Sequence, residues 1–428
     1  MTEFIRGLFR AKHAPEFEAK LKVTCAEIAR KSAYKFLTEG PDVPNWNLAM
    51  QITLDQVRFV WGSMRASELP MNEQNFDLDT VVKKLAVIRN IEADITHRGG
   101  DHRHLYWSVD AEKLLVSPHE VFDKLAEQDR ELVKKSTPRQ LFAEVVACDK
   151  VIKEAQGKGI DVDTTLGFKP LHDGEVVMIH FHGGAYCYES AEVYRGSSVD
   201  ISKETGNRVF VPDYRFAPEH PFPTSIYDGY LFYQFLLTQG FKPENIIIMG
   251  DSAGGNLCLC LMLILKWNSN PQPKAAILFS PWCDLTFSTN AWHGSKINDF
   301  IAPPKTDSVL NITRLYVSPG RPYDDELNEL LHHPLVSPLY GDLEGLAPMY
   351  IHGGEEEKLI DDIDNLAKKV GAKEVFIKGR DHPGIIHAGD RNIYEKYAGM
   401  VHVFFMFEDA DEKHAAIKGV GNFVRSLN

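Results

Sequence analysis

The sequence predicts an α/β fold, a mostly parallel central sheet with helices on both faces, accompanied by a mainly helical cover. Two observations carry this. From about residue 170 onward, short apolar, β-branched runs at 176–181, 208–212, 246–249, 275–279, 349–351 and 375–377 alternate with helical segments. Strands apolar on both faces and separated by helices belong to a parallel sheet covered on both sides. Near the N-terminus the apolar residues instead recur every three to four positions, as at Phe17, Leu21, Cys25 and Ile28, which is helical spacing.

Composition sets the outer limits. A chain of 428 residues, 44% hydrophobic and 25% charged, has the balance of a globular protein and excludes collagen, low-complexity polymers and disordered tails. Its net charge of −13 provides no footprint for a phosphate backbone, so nucleic acid is not an expected partner. The longest aliphatic run, 257–265, is less than half of the roughly 20 residues that span a bilayer, so no transmembrane segment is expected. The first twenty residues carry charges every few positions and lack the apolar stretch of a signal peptide. The six cysteines show no C-x-x-C spacing and read as buried free thiols in a reducing compartment, which makes a cytoplasmic location the expectation.

In chain order, helices are expected over 15–37 and 48–64. Residues 91–97 and 102–109, joined through Gly99-Gly100, read as an antiparallel hairpin, because paired glycines supply the positive φ angles of a tight turn. Ser117-Pro118-His119-Glu120 has the form of a capping box. Thr137-Pro138 repeats the Thr-Pro start ahead of Leu141, Val145, Cys148 and Ile152, so two helices are expected after the hairpin.

The chemistry concentrates where a strand ends. The run 245–249 passes into Gly250-Asp251-Ser252-Ala253-Gly254-Gly255-Asn256 and then into the apolar helix 257–267. This is G-x-S-x-G in the strand-to-helix setting its mechanism requires: a serine on a sharp, strained turn, flanked by small residues, beside the first N–H groups of a helix where an oxyanion would form. Seventy residues upstream another strand runs into His182-Gly183-Gly184-Ala185-Tyr186. Small residues there let backbone N–H groups point into a site, whereas His182 reads as a structural residue that hydrogen-bonds the loop.

A serine nucleophile needs a base and an acid, and in this strand order they follow as acid, then histidine. Glu355, Glu356 and Glu357 compete as the acid, and His382, His387 and His402 as the base. Three histidines with one acid, His97, His102, His104 and Asp101, are set aside as a metal cluster, because a hairpin aligns them only in one register.

Three motifs in this order resemble the hormone-sensitive-lipase-like branch of the α/β-hydrolases: the His182 loop, Asp213-Tyr-Arg-Phe-Ala-Pro-Glu-His-Pro-Phe-Pro223, and the Gly250 to Asn256 elbow. Ser280-Pro-Trp-Cys-Asp-Leu285 and Val336-Ser-Pro-Leu339 also look like that family. The resemblance, over about 170–410, implies hydrolysis of carboxylic esters on a small-molecule substrate with no metal or organic cofactor. It implies Ser252 as nucleophile. It registers the acid on Glu357, through Glu357-Lys-Leu-Ile-Asp-Asp362, and the base on His402, through Gly399-Met-Val-His-Val-Phe404. Glu355 and Glu356 are then a solvated helix start, and His382 and His387 belong to a surface insertion at 380–397.

Gly183, Gly184, Ala185 and Ala253 are the expected oxyanion donors, with Ala185 standing where the family commonly has glycine. Tyr186 and Tyr188 are candidates for the substrate pocket. Asp251, Asp213 and Arg215 look like a supporting network. The implied organisation is a helical cap region over 1–90, a hairpin with a helical insertion over 91–165 that can also supply the first core strands, and an α/β-hydrolase core over 166–428 with a second cap segment at about 286–332. Two other readings stay open: a non-catalytic small-molecule receptor on the same fold, and an amidase, formamidase or lactonase using the same triad.

Overall fold

The computed structural model describes residues 15–64, 69–89, 98–294, 298–302, 305–384 and 389–427. Three helices come first, α1 (Pro15–Glu39), α2 (Leu48–Met64) and α3 (Leu78–Arg89). They are followed by β1 (Gly100–Ser108), α4 (Asp123–Lys134), β2 (Gln140–Cys148), α5 (Asp149–Gly157), β3 (Val177–Phe181), α6 (Arg195–Thr205), β4 (Val209–Pro212) and α7 (Thr224–Thr238). Then come β5 (Ile246–Asp251), α8 (Ala253–Trp267), β6 (Ala275–Phe279), β7 (Met349–Gly354), α9 (Ile360–Lys369), β8 (Lys373–Ile377), β9 (Ile393–Tyr397) and α10 (Glu412–Ser426).

One nine-stranded sheet, in the order β1-β2-β4-β3-β5-β6-β7-β9-β8, organises the chain. Pairing is antiparallel for β1 with β2 and for β2 with β4, and parallel elsewhere. The central strands are buried on both faces, as their unbroken apolar runs require. All six cysteines are buried free thiols. No helix among the described residues is long and apolar enough to cross a membrane.

The strand at 100–108 exists and pairs with β2, with Gly100 opposite Cys148 and Ser108 opposite Gln140; its expected hairpin partner, 91–97, lies outside the described residues. Three readings of the sequence need correction. The helix expected after Thr137-Pro138 is β2. Residues 143–148 of that strand are buried on both faces, so its apolar positions satisfy a helical spacing by coincidence, and only Asp149 onward is helical. Ser117 is not the cap of the next helix: its hydroxyl donates to the His119 carbonyl, and the ring of His119 accepts the Val121 N–H that opens the turn into α4. The insertion at 380–397 is no mere surface loop, because its last five residues are β9, between β7 and β8. His382 turns inward from this insertion and lies 2.6 Å from the buried Glu395 carboxylate.

The turn from β5 to α8 leaves no room for side chains. A Cβ on Gly250 would lie 2.3 Å from the Gly254 carbonyl carbon, and one on Gly254 would lie 1.8 Å from the Phe181 carbonyl oxygen. Both contacts are with backbone that cannot give way. Gly254→Ala is therefore expected to destabilise the fold by about 3 kcal/mol or more, read as a lowered midpoint of urea unfolding. Unchanged stability would mean that the strand and helix are not packed this closely.

Candidate active site

Ser252 sits between β5 and α8 with φ +50° and ψ −114°, a strained conformation for a residue with a side chain. The turn is pinned because the Ser252 N–H donates to the Phe279 carbonyl at 3.0 Å and its own carbonyl accepts the Trp282 N–H at 2.9 Å. Ser252 opens onto a cavity of about 260 Å³, which His402 also lines.

His402 lies in the loop between β9 and α10. Its Nδ1 is 2.8 Å from Oε2 of Glu357, and both side chains are buried. The other Glu357 oxygen accepts the Gly354 N–H at 2.6 Å and the Ser280 hydroxyl at 3.2 Å, so both oxygens of this carboxylate are engaged. Ser280 in turn accepts the Val403 N–H at 3.1 Å, tying the acid and histidine loops together. Burial alone would lower the His402 pKa, but the hydrogen bond and charge of Glu357 outweigh it and hold the imidazole above its ordinary value.

The neighbouring glutamates go elsewhere. Glu355 accepts the Gly399 N–H at 2.9 Å, and Glu356 accepts the backbone and side-chain N–H groups of Asn298 at 3.2 and 3.1 Å. Glu355 is exposed and Glu356 partly so, and each also ties down a neighbouring loop.

The His182 loop reverses through four left-handed residues, Gly184 (φ +92°), Ala185 (φ +51°), Tyr186 (φ +60°) and Glu189 (φ +62°). A Cβ on Gly184 would lie 2.4 Å from the Tyr188 carbonyl oxygen, so glycine is required there. Among the described residues no hydrogen bond takes up the N–H of Gly184 or Ala185. Ala253 is the first residue of α8, where an N–H has no acceptor within the helix. Gly183 departs from expectation: its N–H donates to the Tyr194 hydroxyl at 3.0 Å and is not available to a substrate.

His182 holds the loop from within, its Nδ1 2.8 Å from the Gly183 carbonyl and its Nε2 3.2 Å from Asp213. Tyr186 does not line the cavity. It is fully buried behind the loop, where its hydroxyl donates to Asn256 at 2.7 Å and its ring stacks on Tyr316. Tyr188 does line the cavity, edge-on to Trp61 of α2.

Two carboxyl groups at the site escaped the sequence reading. Asp299, half-buried, accepts the backbone N–H groups of His402 at 3.3 Å and Lys358 at 2.9 Å, and its removal from solvent pushes its pKa up to about 6. Glu189 lines the cavity beside Ser252. Neither lies in a recognisable motif; the only sequence signal for Glu189 is its nearness to the glycine loop.

At the histidine cluster that the sequence reading set aside, His97 lies outside the described residues. His104 does approach Glu144 and Glu192. However, both oxygens of Glu144 already accept the Arg195 guanidinium, at 2.7 and 3.2 Å.

A strained serine on a strand-to-helix turn, with a histidine–carboxylate pair at the same cavity, belongs to the α/β hydrolases. Residues 178–406 match the family model described as the alpha/beta hydrolase fold, and the chain belongs to that family. Within it, the chain falls in the hormone-sensitive-lipase-like branch. An esterase of Acinetobacter venetianus is 34% identical over 253 residues, covering 59% of this chain and 75% of the relative. An acetyl-hydrolase of Streptomyces hygroscopicus is 29% identical, covering 60% and 78%. The crystal structure of a hormone-sensitive-lipase homologue, EstE7, from a metagenome library superposes with a TM-score of 0.51 at 28% identity, covering 67% of this chain and 83% of that one.

Proposed function

We propose that this carboxylic ester hydrolase works through Ser252, His402 and Glu357. His402, oriented by Glu357, takes the Ser252 proton as Oγ attacks the ester carbonyl. The N–H groups of Gly184, Ala185 and Ala253 hold the resulting oxyanion. The imidazolium then protonates the leaving alcohol, and water repeats the sequence on the acyl-enzyme. The observation that carries this reading is the 2.8 Å contact between His402 Nδ1 and Glu357, at the cavity onto which Ser252 opens.

The cap is read as the helices of 1–90 together with the segment 286–332. In support, Trp61 of α2 stacks on Phe300, and the Arg58 side chain donates to the carbonyls of Asn298 and Asp299. Val57, Trp61, Phe300, Ile301, Leu310 and Phe407 make one side of the cavity apolar, which suits the acyl chain of a small ester. The test is a panel of p-nitrophenyl esters of rising acyl length with matching anilides. Hydrolysis of the esters with anilides left intact is the expected result; cleavage of anilides at equal rates would move the chain to the amidases.

The pH dependence follows from His402. Only the neutral imidazole accepts the serine proton, so activity should rise with pH through one ionisation above about 6.5, the ordinary histidine value, because Glu357 favours the charged form. A kcat/KM profile with no such acid limb would contradict the role of His402.

A further inference from the structure

We propose that Glu189 is a neutral carboxylic acid whose proton holds the oxyanion loop in place, making it a positioning residue. The proposal rests on the esterase reading for its consequence, but the proton assignment stands on hydrogen bonding alone.

The Tyr194 hydroxyl is the centre of the argument. It accepts the Gly183 N–H at 3.0 Å and lies 2.8 Å from Oδ2 of Asp251 and 2.5 Å from Oε2 of Glu189. A phenol has one hydrogen to give. With both carboxyl groups ionised, two carboxylates would compete for it, and the loser would face an oxygen lone pair at hydrogen-bond distance inside a buried site. One added proton removes the conflict. Asp251 is the better place for the charge, because His180 Nε2 lies 3.3 Å from its other oxygen. Among the described residues no donor reaches the other oxygen of Glu189. The proton therefore sits on Glu189, which donates to Tyr194, which donates to Asp251.

The groups facing Glu189 pull both ways, and the balance favours the neutral acid. Burial, and then repulsion by Asp251, raise the Glu189 carboxyl to about 7, against the Tyr194 hydrogen bond and the nearby His182 and His402, which lower it. The two histidines nearby, His182 and His402, are already paired with Asp213 and Glu357, and Tyr194 and Tyr214 are neutral phenols. Lys305 lines the same cavity but is itself exposed to solvent.

The chain from Glu189 through Tyr194 to the Gly183 N–H braces a loop that holds four left-handed residues. The next two N–H groups along that loop, of Gly184 and Ala185, are the proposed oxyanion donors. Ionisation of Glu189 would both loosen the brace and put a negative charge beside the place where the oxyanion forms. Activity should then fall on the alkaline side of neutrality.

The test compares the wild-type chain with Glu189→Gln and Glu189→Ala. Infrared titration should show, in the difference between the wild-type chain and Glu189→Gln, a protonated-carboxyl band at mildly acid pH that disappears near neutrality; Asp299 and Asp362, also raised, contribute equally to both proteins and cancel. In kinetics, the glutamine amide can still donate to Tyr194, so Glu189→Gln should keep most of its turnover and its acid limb while losing the alkaline fall. Glu189→Ala removes the brace and should lower kcat roughly ten- to a hundredfold with little change in KM. No such difference band, or an unchanged alkaline limb in Glu189→Gln, would overturn the proposal. If the wild-type chain hydrolysed no ester at all, the esterase reading would fall instead, and with it the positioning role, while the infrared titration would still decide where the proton sits.

Discussion

Ser252→Ala is expected to abolish ester hydrolysis while leaving the fold intact. The substitution removes only Oγ. Ser252 already carries a Cβ in its strained conformation, so alanine introduces no new contact there. Loss of a triad serine costs on the order of 10⁶ in turnover, about 8 kcal/mol of transition-state stabilisation. The measurement is a comparison of initial rates with thermal unfolding on the same preparation. Turnover near the wild-type value in a folded Ser252→Ala protein would remove the nucleophile from the proposed mechanism.

Glu357→Gln should have the second largest effect, with turnover falling roughly 10⁴-fold. The substitution keeps the side-chain volume but loses the negative charge that stabilises the imidazolium. An amide N–H turned toward Nδ1 also favours the wrong histidine tautomer. KM should change little, since Glu357 is fully buried and does not line the cavity. Glu355→Gln and Glu356→Gln should retain near-normal turnover. Their carboxylates hold Gly399 and Asn298 rather than His402, and a glutamine carbonyl can accept the same N–H groups. A crippled Glu356→Gln beside an active Glu357→Gln would shift the acid by one residue and leave the serine and histidine roles standing.

The features legible in the sequence were those where the backbone dictates residue type. Gly250 and Gly254 have no room for a Cβ, and Gly184 has neither the room nor an ordinary φ, so the elbow and the glycine loop carry their geometry in their composition. The central parallel strands were legible for a similar reason, since burial on both faces demands continuous apolar runs. Strand β2 was not, because Glu144 interrupts its apolar run, Thr137-Pro138 ahead of it resembles a helix start, and its partner β1 is separated from it by α4. Strand β9 was hidden by Glu395 and Lys396, which read as surface residues. In the structure His382 and Tyr397 satisfy the Glu395 carboxylate, and Lys396 pairs with Asp364.

Glu189, Asp299 and the Gly183–Tyr194 bond depend on contacts between segments far apart or on a left-handed backbone, and neither leaves a local pattern. Tyr186 was misplaced for the same reason. Its position after the glycine loop suggested the pocket, whereas the loop's left-handed turn carries it back onto Asn256 and Tyr316.

Covalent labelling tests the central claim most directly. A fluorophosphonate reacts only with a serine activated by a neighbouring base, and peptide mapping by mass spectrometry then locates the adduct. One phosphonyl group per chain, on Ser252, is predicted for the wild-type protein, with labelling lost in His402→Ala even though Ser252 is still present. Labelling of a different residue, or undiminished labelling of Ser252 in His402→Ala, would contradict the assignment of Ser252 as the nucleophile and His402 as its base.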